Sequence, residues 1–444
     1  MSWGAFKCLT FFQSSSFFCY VFLVRTDFSI YFIFSLKVAS DEELNNDNGS
    51  IRDMTQEEAC SQKNLSTIVD NSFDKFVHSM SNFGITCQTI LHTVGCDKSN
   101  KSPIFKLMGL SFWYLKYADE VKPGLSSFAE APGGAAKSVR HLLDAAARRV
   151  PPSLWADTPL ALKATAGLRL LPDSQSEAII SEIKNLFASY QFLINEESVT
   201  IMSGTDEGIF GWFTLNFLLN RIESVLEKPE DVEQTNVTAA ALDLGGGSTQ
   251  VTFRPLAGET LPAAPAEFRK EIRVFGQTVP LYTHSYLNNG LVAARLGALE
   301  LNTPEIYRSK NSLSSYCLPP GYTMKWNYTQ LWDIRGSSRY SAEACLAQVR
   351  KFVEASSIHA PEELATRDIY AFSYFFDRGL QAGLAASTNG GRTMVGEFKK
   401  AAAKACRETR FGPEHWRPWT CLDLSYIYSL LRHGYGLPEN KEIH

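Results

Sequence analysis

The chain has 444 residues, of which 45% are hydrophobic and 20% are charged, and its formal net charge is −4. That length exceeds what one ordinary hydrophobic core holds, so we expect at least two domains. The composition excludes a disordered or fibrous protein. It also offers no excess of basic side chains to follow a nucleic-acid backbone, which excludes nucleic acid as the main partner.

Two strongly apolar runs lie within residues 17–36, and Arg25 and Asp27 separate them. Neither run reaches the roughly 18–20 residues that a membrane-spanning helix needs. The pair is typical of a signal peptide or a signal anchor, and residues 38–40 offer a small-residue cleavage zone. We therefore expect residues 1–40 to send the chain into the secretory pathway, or to anchor it to a membrane by its N-terminus. The alternative is an N-terminus that is hydrophobic by accident.

Five Asn-x-Ser/Thr sequons agree with a secretory route, because such sequons accept N-linked glycans in that compartment. Each is a weak signal alone. They begin at Asn48, Asn64, Asn100, Asn236 and Asn327.

The last four of the nine cysteines form an even set. No two cysteines have the C-x-x-C spacing of a zinc site or a thioredoxin-type site. In an oxidising compartment their order favours the local bridges Cys317–Cys345 and Cys406–Cys421. Four free buried thiols, as in a cytosolic enzyme, are the alternative.

Strand-like and helical segments alternate from about Val121 onward, whereas residues 41–115 begin with an acidic, Asn-rich stretch and keep no regular period. Such alternation predicts an α/β architecture, with residues 41–115 as a linker and atypical segment. One helix is predicted from the capping-box spacing of Ser174 and Glu177. The other predicted elements are strands at residues 160–165, 198–202, 239–244 and 249–254, and a helix at residues 208–222.

The strongest motif is Asp243-Leu-Gly-Gly-Gly-Ser-Thr-Gln250, which lies between two predicted strands. Glycines lack Cβ, so this backbone can turn sharply and bring its N–H groups against an anion. Asp243 places a carboxylate where a hard cation would sit beside a phosphate, and Ser248 and Thr249 add hydroxyl donors. The motif is not a P-loop, because it lacks Gly-Lys-[Ser/Thr] and leads into a strand. A glycine-rich β-hairpin without a ligand is the alternative.

Two further stretches carry polar groups at strand ends. Asp206 and Glu207 follow a predicted strand, where exposed connections hold active groups and a carboxylate can act as a general base. By themselves they are better explained as acidic residues at the positive end of a helix. Thr165, Gly167 and Arg169 follow another strand, and alone they are typical of an ordinary strand and turn.

Taken in order, these three stretches resemble the apyrase-type nucleoside phosphohydrolases. The resemblance is greatest to the soluble ER, Golgi or secreted nucleoside diphosphatases of the ecto-nucleoside triphosphate diphosphohydrolase family, and it covers about residues 117–438. Further text that matches this family is Glu120-Val-Lys-Pro-Gly-Leu-Ser126, Leu281-Tyr-Thr-His-Ser-Tyr-Leu287, Tyr370-Ala-Phe-Ser-Tyr-Phe-Phe-Asp-Arg378 and Leu422-Asp-Leu-Ser-Tyr426.

The resemblance implies an α/β, actin-like fold of two ribonuclease-H-type lobes around a nucleotide cleft. The first lobe would span residues 116–236 and the second residues 237–444. The resemblance also implies hydrolysis of the terminal phosphate of nucleoside diphosphates of the UDP and GDP class, by a monomer, with Ca2+ or Mg2+ as the cofactor. The two late disulfides also look like bridges of that family.

The site residues of the family carry over onto this sequence by motif. Glu207 is expected to be the general base that activates water, and Asp243 to hold the metal ion through water. Gln250 and Thr165 are expected to order the nucleophile and the surroundings of the metal. The phosphate groups of the substrate are expected to contact Gly245, Gly246, Gly247, Ser248 and Thr249. The nucleobase is expected to contact Tyr374, Phe375 and Phe376.

One element of the family pattern is missing. The family has an earlier phosphate loop, Asp-Ala-Gly-Ser-Thr-Gly-Thr-Arg, expected shortly before Val121, and residues 105–116 hold nothing like it. The similar text at residues 47–52 lies too far upstream. The family's C-terminal Trp-x-Leu-Gly helix is also absent from the sequence. We therefore expect weak or absent turnover, because a phosphoryl-transfer site depends on several groups placed together.

Two other functions stay open. The first is a catalytically inactive, truncated or spliced product of the same family. The second is an exopolyphosphatase-type phosphatase, whose fold shares an Asp-x-Gly-Gly-Gly-Ser loop. The stretches at residues 122–126 and 282–286 and the late cysteines argue against the second.

Overall fold

The structure is a computed structural model, and it describes two compact units. The N-terminal unit runs to Met202 and takes in Glu271–Val279, and the C-terminal unit comprises Ser203–Lys270 and Pro280–His444. The expected linker at residues 41–115 lies outside the described residues. Those are residues 19–26, 29–36, 117–121, 123–150, 152–226, 237–274, 277–387 and 390–444.

The N-terminal unit contains a five-stranded sheet in the order β3-β2-β1-β4-β5. Strand β2 is antiparallel to both of its neighbours, whereas β1, β4 and β5 are parallel. This is the strand order of a ribonuclease-H-type domain, as the sequence predicts. The elements of the unit are β1 (Cys19–Thr26), β2 (Ser29–Leu36), β3 (Tyr117–Val121), α1 (Pro132–Arg149), β4 (Leu160–Ala164), α2 (Ala166–Arg169), α3 (Asp173–Ala188) and β5 (Val199–Ile201).

Helices α1 and α3 pack together and form one core with strand β4. Apolar residues at helical spacing, such as Val139 and Leu143 of α1 and Ile179 and Ile183 of α3, supply the buried faces. Helix α3 begins directly after Pro172 without a side-chain cap. The predicted capping box at Ser174 is therefore not formed, because that residue already lies inside the first helical turn.

The two apolar runs near the N-terminus form the hairpin β1–β2. Residues 21–24 of β1 pair with residues 160–163 of β4, which places β1 in the middle of the sheet. Eight-residue runs of aromatic and β-branched residues suit such a strand. The sequence predicts a signal segment for these residues, whereas the structure describes them as a pair of strands. Within the described ranges, none of the helices has the length and apolar character needed to cross a membrane.

The C-terminal unit is built on a second five-stranded sheet, in the order β13-β6-β7-β9-β8, with a three-stranded sheet β10-β12-β11 and the pair β14–β15. Residues 271–274 of β8 and 277–279 of β9 are the part of this sheet that is grouped with the N-terminal unit. Its elements are α4 (Gly204–Leu218), β6 (Ala240–Leu244), β7 (Ser248–Phe253), α5 (Thr260–Ala263), β8 (Arg269–Val274), β9 (Gln277–Leu287), α6 (Leu291–Asn302), α7 (Glu305–Arg308), β10 (Ser312–Ser315), β11 (Thr323–Tyr328), β12 (Gln330–Gly336), α8 (Ala342–Ala355), β13 (Ile369–Ser373), α9 (Tyr374–Gln381), β14 (Thr393–Met394), α10 (Val395–Ala405), α11 (Thr420–Ser429) and β15 (Glu442–Ile443).

The predicted strands of this unit agree with the structure to within about one residue, but the boundary between the units differs. The division falls after Met202 instead of residue 236. Helix α4, which follows that point, packs on strands β6 and β7 of the C-terminal sheet. It therefore belongs to the C-terminal unit, although in sequence it comes directly after the last strand of the N-terminal one.

The hairpins β1–β2 and β6–β7 hold corresponding places in their two sheets. In each, the first strand is antiparallel to the next strand and parallel to a later one, β4 in the first case and β13 in the second. The glycine loop at residues 245–247 joins β6 to β7, whereas two residues, Asp27 and Phe28, join β1 to β2. By this correspondence the counterpart of the missing phosphate loop is the connection between β1 and β2. Residues 105–116, where the family pattern led us to expect the loop, lie outside the described residues.

Candidate active site

Three strands of the C-terminal unit bring polar side chains into one row. Asp243 on β6 pairs with Gln250 on β7, and Gln250 pairs with Ser285 on β9. Residues directly opposite each other in antiparallel strands share a face of the sheet, with Cβ atoms about 4.5–5.5 Å apart. Asp243 and Gln250 are both buried. The row therefore places a carboxylate, an amide and a hydroxyl side by side in a mostly buried position.

The glycine loop after β6 packs on the N-terminus of helix α6. Backbone N–H groups of the first turn of α6, and of the turn before it, donate to the carbonyl oxygens of the loop. These hydrogen bonds run from Leu291 N to Gly245 O (2.8 Å), from Val292 N and Ala293 N to Gly246 O (2.9 and 3.0 Å), and from Asn288 N to Gly247 O (2.8 Å).

The N–H groups of the loop consequently point away from α6. A trans peptide holds its C=O and N–H groups on opposite sides. The three carbonyls that face α6 share their peptides with the N–H groups of Gly246, Gly247 and Ser248. Successive N–H groups that face one side form a concavity suited to an anion. Gly290 permits this packing, because a Cβ there would lie 2.3 Å from the carbonyl carbon of Gly246.

Helix α4 supplies a second carboxylate. Its N-cap, Ser203, accepts a hydrogen bond from Asp206 N at 3.0 Å, so the helix begins at Gly204, earlier than predicted. Glu207 lies in the first turn and is only 8% exposed. Its Oε2 accepts a hydrogen bond from Gln250 Nε2 at 3.1 Å. Asp206 is exposed, and its Oδ2 accepts from the Ser203 hydroxyl. The two adjacent acidic residues therefore have different surroundings.

Gly208 lets α4 approach the sheet closely enough for this contact. A Cβ on Gly208 would lie 2.7 Å from Thr252 Oγ1 and 3.1 Å from Thr283 Oγ1. These two hydroxyls are 2.7 Å apart and hydrogen-bonded, and both threonines are completely buried. Neither side chain can turn away without breaking that bond, so the distance between α4 and the sheet depends on the glycine.

Gln250 fixes the orientation of the Glu207 carboxylate. Its Nε2 also lies 2.7 Å from Ser248 Oγ and 3.0 Å from Ser285 Oγ. An amide nitrogen has two hydrogens, so the three acceptors share them. An ionised carboxylate only accepts hydrogen bonds, which requires the nitrogen of the amide, and not its oxygen, to face Glu207.

Thr249 connects the loop to the core of the unit. Its Oγ1 donates to the backbone oxygen of Asp243 at 2.8 Å and lies 2.9 Å from the hydroxyl of Tyr435. The single hydroxyl hydrogen of Thr249 goes to Asp243, so the Tyr435 hydroxyl is the donor to Thr249. Burial raises the pKa of Tyr435, which keeps that hydroxyl protonated. Both bonds hold the Thr249 side chain within the protein, and its backbone lies in the sheet between β6 and β9. The phosphate contact of Thr249 stays a prediction.

Thr165 belongs to the N-terminal unit. It follows strand β4 directly, precedes the short helix α2 and is buried. Arg169 on α2 donates to the backbone oxygen of Met202 at 2.6 Å, which ties the turn after β4 to the end of β5. The other predicted site residues, from Glu207 onward, all belong to the C-terminal unit.

The predicted base-contact residues open helix α9. Phe375 is buried in the hydrophobic core, whereas Tyr374 and Phe376 are partly exposed. Phe375 and Phe376 line a mainly apolar cavity of about 50 Å3, together with Phe398 and His444. Of the three residues, Tyr374 and Phe376 are accessible enough to stack on a ligand ring.

Both predicted disulfides, Cys317–Cys345 and Cys406–Cys421, are present. The sulfurs of Cys317, Cys345 and Cys421 lie within 4.8 Å of one another. Since every one of these sulfurs is bonded in a bridge, the cluster offers no thiolate to a metal ion.

Ser285 is a candidate site residue that sequence reasoning missed. It lies within the matching stretch from Leu281 to Leu287, but the sequence does not show which side chains of that stretch face the loop. The register of β7 and β9 supplies the answer, because it places Ser285 opposite Gln250.

Residues 109–444 match the GDA1/CD39 (nucleoside phosphatase) family. Nucleoside-diphosphatase uda-1 of Caenorhabditis elegans is 43% identical over 334 residues, which cover 73% of this chain and 69% of that protein. Ectonucleoside triphosphate diphosphohydrolase 5 of Gallus gallus is 39% identical over 326 residues, which cover 72% of this chain and 73% of that protein. Among solved structures, nucleoside triphosphate hydrolases from Neospora caninum align with a TM-score of 0.49 and 13% identity, over 96% of this chain and 87% of that one.

Proposed function

Because the chain belongs to the GDA1/CD39 (nucleoside phosphatase) family, we propose that it hydrolyses nucleoside diphosphates of the UDP and GDP class to a monophosphate and inorganic phosphate. The names of the relatives from C. elegans and Gallus gallus support a nucleotide substrate. The observation that carries the proposal is the Glu207 carboxylate, held by Gln250 in the same unit as a loop whose N–H groups face one side.

In the proposed reaction a water molecule attacks the terminal phosphorus. Glu207 accepts the proton of that water, and this general-base step is worth about 10²–10⁴-fold in rate. The bond between the terminal phosphorus and the bridging oxygen breaks, and the nucleoside monophosphate leaves with the electron pair. Gln250 orients the Glu207 carboxylate by donating a hydrogen bond to Oε2.

The loop at residues 245–248 is proposed to hold the phosphate oxygens. Negative charge grows on these oxygens in the transition state, and fixed N–H donors stabilise it without having to reorganise. Support comes from the hydrogen bonds that clamp the loop carbonyls to helix α6 and so fix where the N–H groups point.

A divalent cation, Ca2+ or Mg2+, is proposed to act with Asp243. The cation would neutralise charge on the phosphate oxygens. The donor chemistry fits, because Asp243 offers a hard carboxylate oxygen in the row with Gln250 and Ser285. In the part of the chain that the structure describes, no three acidic or histidine side chains come close enough together to form a cage. One carboxylate completed by waters and phosphate oxygens is the usual arrangement for Mg2+.

Thr165 is proposed to help order the nucleophile and the surroundings of the metal. Tyr374 and Phe376 are proposed to contact the nucleobase of the substrate. Support for the base contact is the partial exposure of these two aromatic rings at the start of α9. Phe375 would contribute by holding α9 in the core. The enzyme is proposed to act as a monomer.

The chain is proposed to enter the secretory pathway, and its two disulfides support an oxidising compartment. Determining the N-terminus of the secreted protein shows whether residues 19–36 are removed as a signal peptide or kept as strands β1 and β2. A start near residue 41 would mean that the segment is a cleaved signal peptide. A mature protein that retains residues 19–36 would support the hairpin β1–β2.

Asn327 is proposed to carry an N-linked glycan. It is exposed on the β11–β12 hairpin, and its cross-strand partner Leu331 is 54% exposed. Opposite residues share a face, so the first sugar would cover an apolar side chain that the protein leaves in water. Thr238, in the sequon at Asn236, is instead buried. Glycopeptide mass spectrometry should find the glycan on Asn327 and lose it in Asn327→Gln.

The test of the activity is release of inorganic phosphate from UDP, GDP and ADP, with Ca2+ or Mg2+, by protein made in a secretory host. Inorganic polyphosphate in the same assay tests the exopolyphosphatase alternative. Release from diphosphates that disappears in Glu207→Gln would support the proposal. Release from polyphosphate alone would favour the exopolyphosphatase-type alternative, and a folded protein that neither binds nor hydrolyses a nucleoside diphosphate would favour the inactive one.

A further inference from the structure

Asp423 on helix α11 is a fully buried carboxylate that meets two arginines. Arg295 grips it with both ends of its guanidinium group, with Nε 2.7 Å from Oδ1 and Nη2 2.6 Å from Oδ2. Arg378 Nε lies 2.9 Å from Oδ2, as an ion pair without the alignment of a hydrogen bond. Both arginines are also buried. Buried ion triads often add nothing to stability compared with apolar residues of similar size. The role of the triad therefore depends on the elements that it connects.

Arg295 belongs to the helix that supports the glycine loop. Its helix, α6, donates backbone N–H groups from its first turn to the carbonyls of Gly245 and Gly246. Arg378 belongs to α9, which begins with the proposed base-contact residue Tyr374. The carboxylate of Asp423 thus connects α6, which supports the glycine loop, to α9, which begins with Tyr374.

Helix α11 makes a second contact with the same support. Tyr426 follows Asp423 by three positions and so lies on the same side of the helix. Its hydroxyl donates to the backbone oxygen of Asn289 at 2.5 Å. Asn289 precedes Gly290, whose backbone is so close to Gly246 that a Cβ would not fit. A shift of α6 or of this turn would therefore pass directly to the loop.

We propose that Asp423 is a positioning residue for phosphate binding. By holding Arg295 it fixes helix α6, and through α6 it sets the direction of the loop N–H groups at residues 246–248. The proposal rests on the proposed function of that loop. It goes beyond it by giving a role to a triad that need not touch the substrate.

The first test is Arg295→Lys, which keeps the positive charge but cannot hold both carboxylate oxygens in the same way. We expect it to fold, to bind inorganic phosphate about tenfold more weakly, and to raise KM for a nucleoside diphosphate by a similar factor. A purely structural role would instead lower the active fraction, which reduces the apparent kcat and leaves KM unchanged. Calorimetric titration with inorganic phosphate provides a readout that does not depend on turnover.

The second test replaces the whole triad with apolar residues, Asp423→Leu, Arg295→Met and Arg378→Met. Such replacements commonly keep or raise stability, because no buried charge is left unpaired. We expect thermal unfolding at or above the parent temperature together with weaker phosphate binding. The control is Arg221→Met, which breaks the partly buried pair with Asp368 in the same unit, away from the loop. It should leave the affinity for phosphate unchanged.

Parent-like phosphate affinity in folded Arg295→Lys, or in the folded triple variant, would overturn the inference. If the triple variant does not fold, Arg295→Lys decides alone. A parent protein that binds no phosphate would instead count against the proposed function of the loop. The two failures are therefore distinguishable.

Discussion

The side-chain amide of Gln250 orients the Glu207 carboxylate. An isosteric substitution of Glu207 tests its function. Glu207→Gln keeps the size of the side chain and removes its ability to accept a proton. We expect kcat for nucleoside diphosphate hydrolysis to fall by at least ~10²-fold, the usual contribution of a general base. Phosphate release at saturating substrate measures the effect, and thermal unfolding should stay close to that of the parent.

The matched control is Asp206→Asn, one residue earlier. Asp206 is exposed and accepts a hydrogen bond from Ser203, so its charge is not part of the row with Gln250. Its replacement should leave kcat near that of the parent. Equal losses in the two variants would show that the general charge of the helix end matters, and would remove the special role of Glu207.

Gly208→Ala, at the position after Glu207, should lower both the rate and the stability. The added methyl group would meet Thr252 Oγ1 at 2.7 Å, so helix α4 must move outward and carry Glu207 away from Gln250. A displacement on the order of 1 Å can cost ~10²-fold in rate, and overpacking costs about 1–3 kcal/mol of unfolding free energy. Steady-state kinetics and urea unfolding measure the two effects.

Gly258→Ala is the control for that change, because nothing lies within 4 Å of a Cβ at Gly258. It should alter neither the rate nor the stability by much. If Gly208→Ala keeps the parent rate, the close approach of α4 to the sheet is not needed for activity.

At the scale of single residues, the sequence predicted those that form a continuous motif. Asp243, Gln250 and the glycines stand together in the chain, and matching text marked Glu207. Ser285, Arg295 and Asp423 could not be placed in the site this way. Their relation to the loop depends on strand register and on helices that come together only in the folded unit.

Helix α11 is held at its start by the bridge Cys406–Cys421, which ties it to the end of α10. Replacing both cysteines with serine should lower the free energy of unfolding by about 3 kcal/mol, as expected for a closed loop of this size. Chemical denaturation of the oxidised protein measures the loss. The matched comparison is the double serine variant of Cys317–Cys345, for which we expect a loss of similar size.

Unchanged unfolding of both variants would mean that the bridges contribute nothing to stability. Loss of phosphate binding in the Cys406 and Cys421 variant alone would mean that the bridge also serves the loop through α11. This second result is expected if Asp423, two residues beyond Cys421, positions helix α6.

At the scale of elements, the sequence predicted strand positions well and helix starts poorly. Strands β4 and β6 are mostly apolar runs with clear ends, and β7 follows directly after the glycine loop. Helix α4 was expected to begin at Gly208 but begins at Gly204, because the Ser203 hydroxyl caps it and the three glycines of its first two turns are tolerated. Gly208 serves packing there, which the sequence cannot distinguish from a turn.

For the whole molecule, we expect turnover well below ~1 s⁻¹, the lower end of ordinary enzymes. The C-terminal hairpin β6–β7 has its glycine loop, while only Asp27 and Phe28 join the corresponding strands β1 and β2. Losing even one preorganised donor costs about 10²–10³ in rate. Phosphate release from UDP, GDP and ADP measures the rate.

The structure suggests a gain-of-function version of the same experiment. Replacing Asp27 and Phe28 with Asp-Ala-Gly-Ser-Thr-Gly-Thr-Arg should raise the rate by ~10²-fold or more, since it restores donors at the corresponding hairpin. An equally long Gly-Ser insertion is the control. An ordinary enzymatic rate in the unchanged chain would show that another segment replaces the loop.

The pairing of β1 with β4 also affects how the chain is made. Val21 pairs with Leu160, and closing so long a loop costs entropy before the strand contacts form. At synthesis rates of about 5–20 residues per second, β1 and β2 wait on the order of ten seconds for β4 to leave the ribosome. During that time an aromatic hairpin presents an unpaired edge, which invites aggregation. Nascent chains that end before Leu160 should therefore bind chaperones more strongly than nascent chains that already include β5.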